Sequence, residues 1–584
     1  MVTDDQVYAK ECEKLQGTLK KRGYPESFVQ NIVSEVSRKR EKGRQESKSS
    51  YTLSPSGKNI FSLGGNWRLV KELKKAQIKT QDSNRPMLAQ ESAENLRTLA
   101  FSENPSLQQS AALYYLHLSQ KLTTPLPADY LEPYHALLQS SDLEVQRMSS
   151  LSLVNLLVDE NVNKELVVQL GLLEPMLELL ESGDSVIQCN SCACVATLAT
   201  SESNREAIIS AEGIKTLLVL SKSYDPRIQQ NAIGAILNLS RSEKARFVLH
   251  NEGAVPVLVL LLQSDDSEVQ YYSSAALSNI ATNPLHHQAM LQVGNGFLLK
   301  MLQSLMSSSV EKVSCQACVC LRNLAVDGKT QTELVAMNIL CQVKSLLTSS
   351  SEAIAEAAVG LLCTLSVHPS NKHPIICEDL LESLALLLRS HRTKPAIVGH
   401  AASTIKNLSA SDFVQDIIES SVVEGLFHIL PYKDVPEECL VYVTACISEL
   451  ITHGQIKSHA VKQVDSCTII TLLNMARQQK NTEMAFQAVF IISHLGPNEH
   501  TWHLLKMHMG EVLGYILQFL KQQEIRFQHL GLFSLCAFSA DAEFSLAVSQ
   551  SPLADQLYKI RQQTEETQEL LQRAMTQTAH MDHS

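Results

Sequence analysis

Two stretches of this chain carry the same residue pattern, and they lie 41 residues apart. The first is RIQQNAIGAILNLS at 227–240, and the second is EVQYYSSAALSNIA at 268–281. Two more apolar segments, joined at a glycine, separate them. A repeat in the low forties with helical apolar spacing is typical of a stacked-helix solenoid. One such unit cannot bury its apolar face alone, so the pattern predicts an array of neighbouring helical units.

The same period extends over most of the chain. We use as a marker one residue, usually polar, near the end of the long third helix of each predicted unit. The markers recur every 38 to 45 residues, at His117, Asn155, Thr197, Asn238, Asn279, Asn323, Thr364, Asn407, Glu449, His494 and Ser534. This spacing predicts about eleven units, the last two or three of them degenerate, since terminal repeats present one face to water.

Two further features keep this period. Glutamines precede the markers by nine residues and follow polar turns rich in Ser and Asp, which favour helix N-caps; they are Gln146, Gln188, Gln229 and Gln270. Glycines lie where the two shorter helices of a unit meet, and we expect them to adopt the left-handed backbone of a helix end; they are Gly171, Gly213, Gly253, Gly294 and Gly510. The three patterns together predict an all-α solenoid.

The sequence divides into three regions. Residues 1–86 are basic, with short helical patterns and a Ser-rich linker that we expect to be partly flexible; residues 87–550 form the repeat array; residues 551–584 form a polar helix and tail. The tail has a thin apolar stripe that we expect to cover the final repeat, made of Leu553, Leu557, Ile560 and Leu571.

Charge is distributed unevenly. Residues 1–90 contain 18 Lys and Arg against 10 Asp and Glu, whereas the rest contains 32 against 51, a balance of −19. An acidic body disfavours binding to nucleic acid. The cationic run at 38–44 has three candidate roles: contact with anionic lipid, nuclear localisation, or a solvated helix end. The basic helix predicted at 66–79 either covers the first repeat or folds back into the groove of the array.

Other function classes find little support in the sequence. No apolar run reaches the roughly 18 residues of a membrane span. The N-terminal residues include acids and no apolar segment, so we expect no secretory signal. Fourteen cysteines without such a signal favour free thiols in a reducing compartment. We find no phosphate loop, HExxH motif or nucleophile elbow. We therefore expect no enzyme activity and no cofactor.

Two cysteine clusters resemble metal sites at first sight. They are CNSCAC at 189–194 and CQACVC at 315–320, and they fall in the same register of their helices. Zinc needs such pairs to converge, whereas these lie 126 residues apart. We expect the cysteines to pack as small apolar residues in the core. The histidines of 494–508 lack acidic or cysteine partners at ligand spacing, so we expect no metal there either.

The phrases ALSNIA, CLRNLA, TIKNLS and GAVPVLVLLLQS resemble the armadillo repeat, which has three helices per unit in a right-handed superhelix. Within that family the likeness is strongest to the vacuolar armadillo proteins of fungi. It covers residues 88–430 well and continues loosely to about 550. It implies a scaffold that holds several partners at an organelle membrane. Those relatives are acylated at a glycine in position 2, which is Val2 here, so we expect no N-terminal lipidation.

The resemblance also implies a binding site. In armadillo proteins the third helices line a concave groove, where asparagine amides bind the backbone of an extended peptide. The candidate residues are Asn155, Asn238, Asn279, Asn323 and Asn407. The alternative is that these amides only bond the neighbouring helix. Three nearby cations, Arg241, Arg322 and Lys406, either select an acidic or phosphorylated segment or are simply solvated. The tryptophan slots of nuclear-import adaptors are missing beside these asparagines.

The leading functional prediction is a monomeric, cytoplasmic scaffold or adaptor that binds extended segments of partner proteins. It includes a peripheral role at an organelle membrane, in tethering or trafficking, with membrane contact made indirectly or through the basic N-terminal region; a nuclear location remains open. Two alternatives stay open as well. One is an exchange factor or chaperone for small GTPases, and the other is a catenin-like adhesion or signalling adaptor.

Overall fold

The computed structural model describes residues 90–579, except residues 295, 410 and 561–563. The predictions for residues 1–86, including the basic helix at 66–79, lie outside the described residues. Throughout the described part the regular elements are helices, and none is a strand. The prediction of an all-α fold is confirmed for these residues. The chain divides into two compact units at the bond between Ala235 and Ile236.

Eleven long helices correspond to the third helices of the predicted units. They are Pro105–Lys121, Leu143–Val158, Ser185–Leu198, Pro226–Leu239, Ser267–Ile280, Glu311–Leu324, Glu352–Leu365, Pro395–Leu408, Glu437–Leu450, Thr482–Leu495 and Ile525–Phe538. Within each compact unit, successive long helices pack side by side. The repeats therefore bury their apolar faces against their sequence neighbours, as the period predicts.

Shorter helices connect the long ones. They are Pro133–Leu138, Lys164–Gln169, Leu173–Leu179, Glu202–Ser210, Gly213–Leu220, Glu243–Asn251, Ala254–Leu261, His287–Gln292, Phe297–Met306, Gly328–Ala336, Ile339–Leu347, Pro369–Cys377, Leu380–Ser390, Val414–Glu419, Val422–Ile429, Gly454–Ala460, Ser466–Ala476, Glu499–Lys506 and Met509–Leu520. The helix Gln90–Ala100 precedes the first long helix, and Ala542–Ser549, Leu553–Leu557 and Glu565–Ala579 follow the last one. Four single 3₁₀ turns join them, at Ala128–Tyr130, Pro284–His286, Ser411–Phe413 and Val461–Gln463.

Polar side chains fix the starts of the long helices. The Asp142 carboxylate accepts hydrogen bonds from the backbone N–H groups of Glu144 and Val145, and Asp184 and Asp266 cap their own helices similarly. The recurring glutamine has a second role. Gln270 donates from Nε2 to the Ser264 carbonyl at 2.8 Å. Such bonds satisfy carbonyls at the end of the preceding helix, which explains why this glutamine keeps the repeat period.

The glycine pattern is correct at some junctions and wrong at others. Gly171 and Gly253 adopt positive φ values of 77° and 76°. Gly213 does not; there the left-handed residue is Glu212, at φ 57°. A Cβ at Gly213 would lie 3.0 Å from Leu177 Cδ2, so glycine there permits close packing. Gly510 also lacks a positive φ, because it lies within the first turn of a helix.

The C-terminal tail contains two helices where the sequence predicts one. Leu553, Leu557, Ile560 and Leu571, the four residues of the apolar stripe, are all at least nine-tenths buried. The helix Glu565–Ala579 packs on Ile525–Phe538, the last long helix. A hydrogen bond of 2.7 Å between His529 Nε2 and Thr567 Oγ1 joins the two. The tail thus covers an apolar face that the last repeat would otherwise expose.

Candidate functional site

All eleven marker residues lie at the ends of long helices. In eight units the marker is the penultimate residue of its helix, and in the other three it lies among the last five residues. Four of the asparagines at these positions, Asn155, Asn279, Asn323 and Asn407, share one kind of contact. Their Nδ2 groups donate across to the preceding repeat, for example from Asn279 to Ser240 Oγ at 2.9 Å and from Asn407 to Ser366 Oγ at 3.0 Å. The amides therefore link successive repeats.

Two more marker amides make the same link. Asn155 donates to Ser119 Oγ at 3.1 Å. Asn323 donates to both the carbonyl and the hydroxyl of Ser278, each at 3.1 Å. The hydrogen bond of an amide to a buried or half-buried serine fixes the plane of the side chain. In each case the direction of the Oδ1 atom is set by contacts inside the array.

Burial separates the five asparagines into two groups. The side chains of Asn155 and Asn238 are almost fully buried, with 1% and 3% exposed. The Oδ1 atom of Asn155 is enclosed and has no hydrogen-bond partner. Asn279, Asn323 and Asn407 are partly exposed instead. Within the described part of the chain, their Oδ1 atoms accept no hydrogen bond, so these three amides each retain an acceptor that solvent can reach.

The three predicted cations differ in their surroundings. Arg322 is half-buried beside Gly360, where a Cβ would lie 3.0 Å from the guanidinium. Glycine at that position leaves space for the arginine across the neighbouring long helix. Lys406 is exposed and forms an ion pair of 3.8 Å with Glu449, the marker of the next unit. Arg241 is exposed in the turn after the helix Pro226–Leu239.

An aromatic cluster occupies the late repeats, and the sequence reasoning missed it. The His494 ring stacks between Phe490 and Phe533, with centroids 4.0 Å and 4.9 Å away. Burial lowers the pKa of His494, and Lys457 adds to that effect. Phe490 stands four residues before its marker, the position at which nuclear-import adaptors carry tryptophan and which the sequence analysis examined only at the five asparagine markers. Including the non-asparagine markers would have identified it.

The cysteine clusters are mostly buried, although their first members, Cys189 and Cys315, are partly exposed. Cys192, Cys194, Cys318 and Cys320 are buried. Burial raises the pKa of the Cys318 thiol to about 12, which keeps it protonated. In the described residues, no group of three or more His, Cys, Asp or Glu side chains could hold a metal ion. Among the histidines of 494–508, His500 bonds the Val464 carbonyl at 3.0 Å.

Comparison with known proteins agrees with the helical repeats. The family model described as "Armadillo/beta-catenin-like repeat" matches residues 160–200, 201–241 and 242–282. Three armadillo repeats thus lie within residues 160–282, and the predicted all-α armadillo solenoid is confirmed as the fold of the described residues. Its sequence is similar to Vacuolar protein 8 of fungi. The match to the Schizosaccharomyces pombe protein is 34% identical over 227 residues, covering 38% of this chain and 40% of that protein.

A second relative is Vacuolar protein 8 of Komagataella pastoris, 49% identical over 76 residues, which is 13% of this chain and 14% of that protein. The chain thus spans less than half the length of these curated relatives. The predicted likeness to fungal vacuolar armadillo proteins is confirmed.

Solved structures show the same fold. An engineered protein aligns with a TM-score of 0.60 and 24% identity, covering 69% of this chain and 98% of its own. A structure described as "A conserved phosphorylation switch controls the interaction between cadherin and beta-catenin in vitro and in vivo" aligns with a TM-score of 0.57 and 13% identity. It covers 83% of this chain and 100% of its own. At these identities the likeness concerns the fold alone.

The helices were also compared with the requirements of a bilayer. Across residues 90–579, apart from the gaps given above, none has both the length and the hydropathy that a membrane crossing requires.

Proposed function

We propose that this protein is a non-catalytic scaffold that binds extended segments of partner proteins on the long helices of its second compact unit. One observation carries the proposal. Asn279, Asn323 and Asn407 each use Nδ2 to bond the preceding repeat, and each keeps a partly exposed Oδ1 without a partner. An oriented acceptor of this kind suits the backbone N–H of an extended peptide.

The spacing of the repeats supports a peptide ligand. Neighbouring packed helices lie roughly 8–10 Å apart. An extended chain advances about 3.3 Å per residue, so one amide per repeat can meet every second or third residue of the ligand. Because the Nδ2 bonds already fix the amides, little side-chain entropy is lost on binding. Affinity would come from several such clamps acting together.

Charge supports a preference among ligands. Arg322 immediately precedes Asn323 and lies beside Gly360. A guanidinium in this place favours an acidic or phosphorylated side chain next to the clamped backbone. Lys406 is partly neutralised by Glu449, so it contributes less. We accordingly reduce the predicted site to Asn279, Arg322, Asn323 and Asn407, with Asn155 and Asn238 serving the packing of the array.

The similarity to Vacuolar protein 8 supports an organelle setting. We propose that the chain works as a monomer in the cytoplasm and peripherally at an organelle membrane, where bound partners are tethered or sorted. The armadillo array at 87–550 would hold the partners, and the tail at 551–584 would cover its end.

Peptide display on the full-length protein tests the clamp. A library of random 16-residue peptides is selected on the wild type, and a selected peptide is then titrated by fluorescence anisotropy. Changing Asn279, Asn323 and Asn407 together to alanine removes three hydrogen bonds of about 1 kcal/mol each, so we expect Kd to rise roughly a hundredfold.

A matched control uses two exposed asparagines on short helices, Asn251 and Asn474. Changing both to alanine should leave Kd unchanged. Circular dichroism should show equal helicity in all three proteins, because none of the altered side chains is fully buried. Equal affinity of the wild type and the triple variant would exclude the asparagine clamp as the binding mechanism.

A further inference from the structure

Arg322 differs from most of the cations on the long helices because it has no carboxylate partner. Five of those cations form an ion pair with an acid, namely Arg147, Arg227, Lys312, Lys406 and Arg526. Arg322 is half-buried, and it forms no ion pair or hydrogen bond with any residue that the structure describes. Its guanidinium therefore keeps donors available for an incoming anion.

A glycine brings this arginine close to a histidine. Arg322, Gly360 and His400 lie on three successive long helices of the second compact unit. A Cβ at Gly360 would lie 3.0 Å from Arg322 Nη1 and 3.5 Å from His400 Nε2. The guanidinium and the imidazole thus approach the same point of the middle helix, each from a neighbouring helix. The His400 ring makes no hydrogen bond within the described part of the chain, so its N–H is available as well.

Electrostatic interactions agree with this arrangement. Burial lowers the pKa of His400, Arg322 lowers it further, and the exposed Glu356 opposes the shift. Burial raises the pKa of the Cys363 thiol, whereas a hydrogen bond with Thr404 and the charge of Arg322 oppose that rise. Arg322 therefore acts on side chains of both of the next two long helices.

Two of the amides proposed to bind a peptide lie beside these groups. Asn323 directly follows Arg322. Asn407 follows His400 by seven residues, so both lie on one face of the same helix. A peptide backbone held by Asn323 and Asn407 would pass close to Arg322 and His400.

We propose that Arg322 and His400 bind the phosphate of a phosphorylated serine or threonine in an extended partner segment. The inference rests on the proposed peptide binding and specifies one side chain of the ligand. A phosphate monoester carries a charge of about −1.5 to −2 and three strong acceptor oxygens. It can accept a bidentate pair of hydrogen bonds from Arg322 and a third from His400 Nε2.

The separation of the two donors favours phosphate over carboxylate. A carboxylate has two oxygens, and a bidentate pair with Arg322 uses both of them. His400 would then have no partner, because it lies on a different helix from the arginine. A phosphate forms the same pair and still presents an oxygen to the imidazole. Glu356 repels either anion, so the extra hydrogen bond decides between them.

Oriented peptide libraries and the full-length protein test this subsite. Each library contains 16-residue peptides with mixed flanks and one fixed central residue, which is phosphothreonine, threonine or glutamate. Fluorescence anisotropy of the labelled libraries gives an apparent Kd for each. We expect the wild type to bind the phosphothreonine library at least tenfold more tightly than the threonine library and at least threefold more tightly than the glutamate library. Equal values for the three libraries would overturn the proposal.

Substitutions at the two donors should change this preference. Arg322→Ala should reduce the preference for phosphothreonine over threonine to less than threefold, and Arg322→Lys should retain part of it because the charge remains. His400→Ala should lower the preference about threefold through the loss of one donor. The matched control is Arg241→Ala, which removes an exposed cation of the same unit and should change nothing. Equal effects of Arg322→Ala and Arg241→Ala would mean that net charge alone is responsible and would refute the subsite.

Gly360→Ala tests the geometry without removing a charge. The added methyl group would displace the flexible end of Arg322, so the preference should fall at least threefold. Alanine is favoured over glycine in a helix interior, so helicity and Tm should not fall. Gly514→Ala is the control, because a Cβ there meets nothing within 4 Å. A Gly360→Ala protein with the full preference would contradict a phosphate held between Arg322 and His400.

The alanine variant of Asn279, Asn323 and Asn407 separates the subsite from the peptide clamp. It should weaken the phosphothreonine and threonine libraries by the same factor and leave their ratio unchanged. Wild-type binding that ignores phosphorylation overturns the subsite alone. A phosphate preference in a triple variant that binds as tightly as the wild type supports the subsite and overturns the clamp. Failure of every library to bind the wild type overturns both.

Free phosphate and lipid headgroups carry the same chemical group, and two probes distinguish these sources. Inorganic phosphate at 10 mM should displace less than half of the phosphothreonine library, because it has no backbone for the amides. Vesicles of phosphatidylcholine with 5% phosphatidylinositol phosphate should bind the wild type and Arg322→Ala equally. Complete displacement by inorganic phosphate, or vesicle binding that Arg322→Ala abolishes, would assign the subsite to that source and overturn the phosphorylated peptide as its ligand.

Discussion

Asn155 in the first compact unit and Asn279 in the second occupy the same place in the repeat, yet they are available for different tasks. Both donate from Nδ2 to a serine of the preceding repeat, at 3.1 Å and 2.9 Å. Asn155 is 1% exposed and its Oδ1 is enclosed, whereas Asn279 is partly exposed. The contrast shows that this asparagine first joins neighbouring repeats. It can bind a ligand only where packing leaves its oxygen accessible.

The largest expected effect is on the free energy of unfolding, when Asn155 and Asn279 are each changed to aspartate in separate variants. Asn155→Asp buries a charge beside a serine, at a position that is 1% exposed, so we expect a loss of about 3 kcal/mol in the free energy of unfolding. Asn279→Asp keeps its charge in contact with water and should cost less than about 1 kcal/mol. Urea denaturation followed by circular dichroism measures both. Equal destabilisation would contradict the assigned difference in burial.

A moderate effect is expected on the pH dependence of stability in the second unit. One of the histidines concerned is His494, which stands at a marker position where other repeats have asparagine. Burial lowers the pKa of His250, His400 and His494; His286 contributes at His250, and Arg322 contributes at His400. Unfolded histidine has a pKa of about 6.5, so the unfolded chain takes up protons first as the pH falls.

The stability due to these neutral rings is therefore present above about pH 6.5 and is lost as the pH falls towards their folded pKa values. Lowering the pH from 7.5 to 5.5 should reduce Tm by about 2–4 °C. A variant with all three residues changed to glutamine should show a smaller shift. If the shift were identical, these histidines would not be the source of the pH dependence.

The smallest effect is a gain of affinity. Thr364 is partly exposed and stands between Asn323 and Asn407 in the marker series. Thr364→Asn would add one clamp, and one hydrogen bond of about 1 kcal/mol should lower Kd of the selected peptide roughly fivefold. The matched control is Thr197→Asn in the first unit, where the side chain is only 8% exposed. Tightening by both substitutions would remove the proposed distinction between the units.

Local chemistry made the helical array predictable. Helix starts depend on residues close in sequence, as when Asp142 caps the helix that follows it, and apolar spacing reports the buried face directly. The backbone conformation where two short helices meet was harder to predict. At Gly213 the glycine serves close packing against Leu177, while the left-handed conformation moves to Glu212. The residue type alone does not distinguish these two uses of glycine.

The candidate site was less predictable, because the residue type at a marker does not show how deeply its side chain is buried. The sequence identified the marker positions and therefore which amides lie near the ends of the long helices. It treated the series Asn238, Asn279 and Asn323 as one uninterrupted ladder, whereas Asn238 is only 3% exposed. It also interpreted the late markers as degeneration, although His494 lies in an ordered stack between Phe490 and Phe533.

The sequence by itself determined the class of fold, the number of units and the residue at each marker, because helical period, caps and apolar spacing act over a few residues. Only the tertiary structure decided which asparagines keep an accessible oxygen and which cations are already paired. Those properties depend on side chains from repeats about 40 residues away, brought near by packing. Packing density, rather than residue type, decides what a partner can reach.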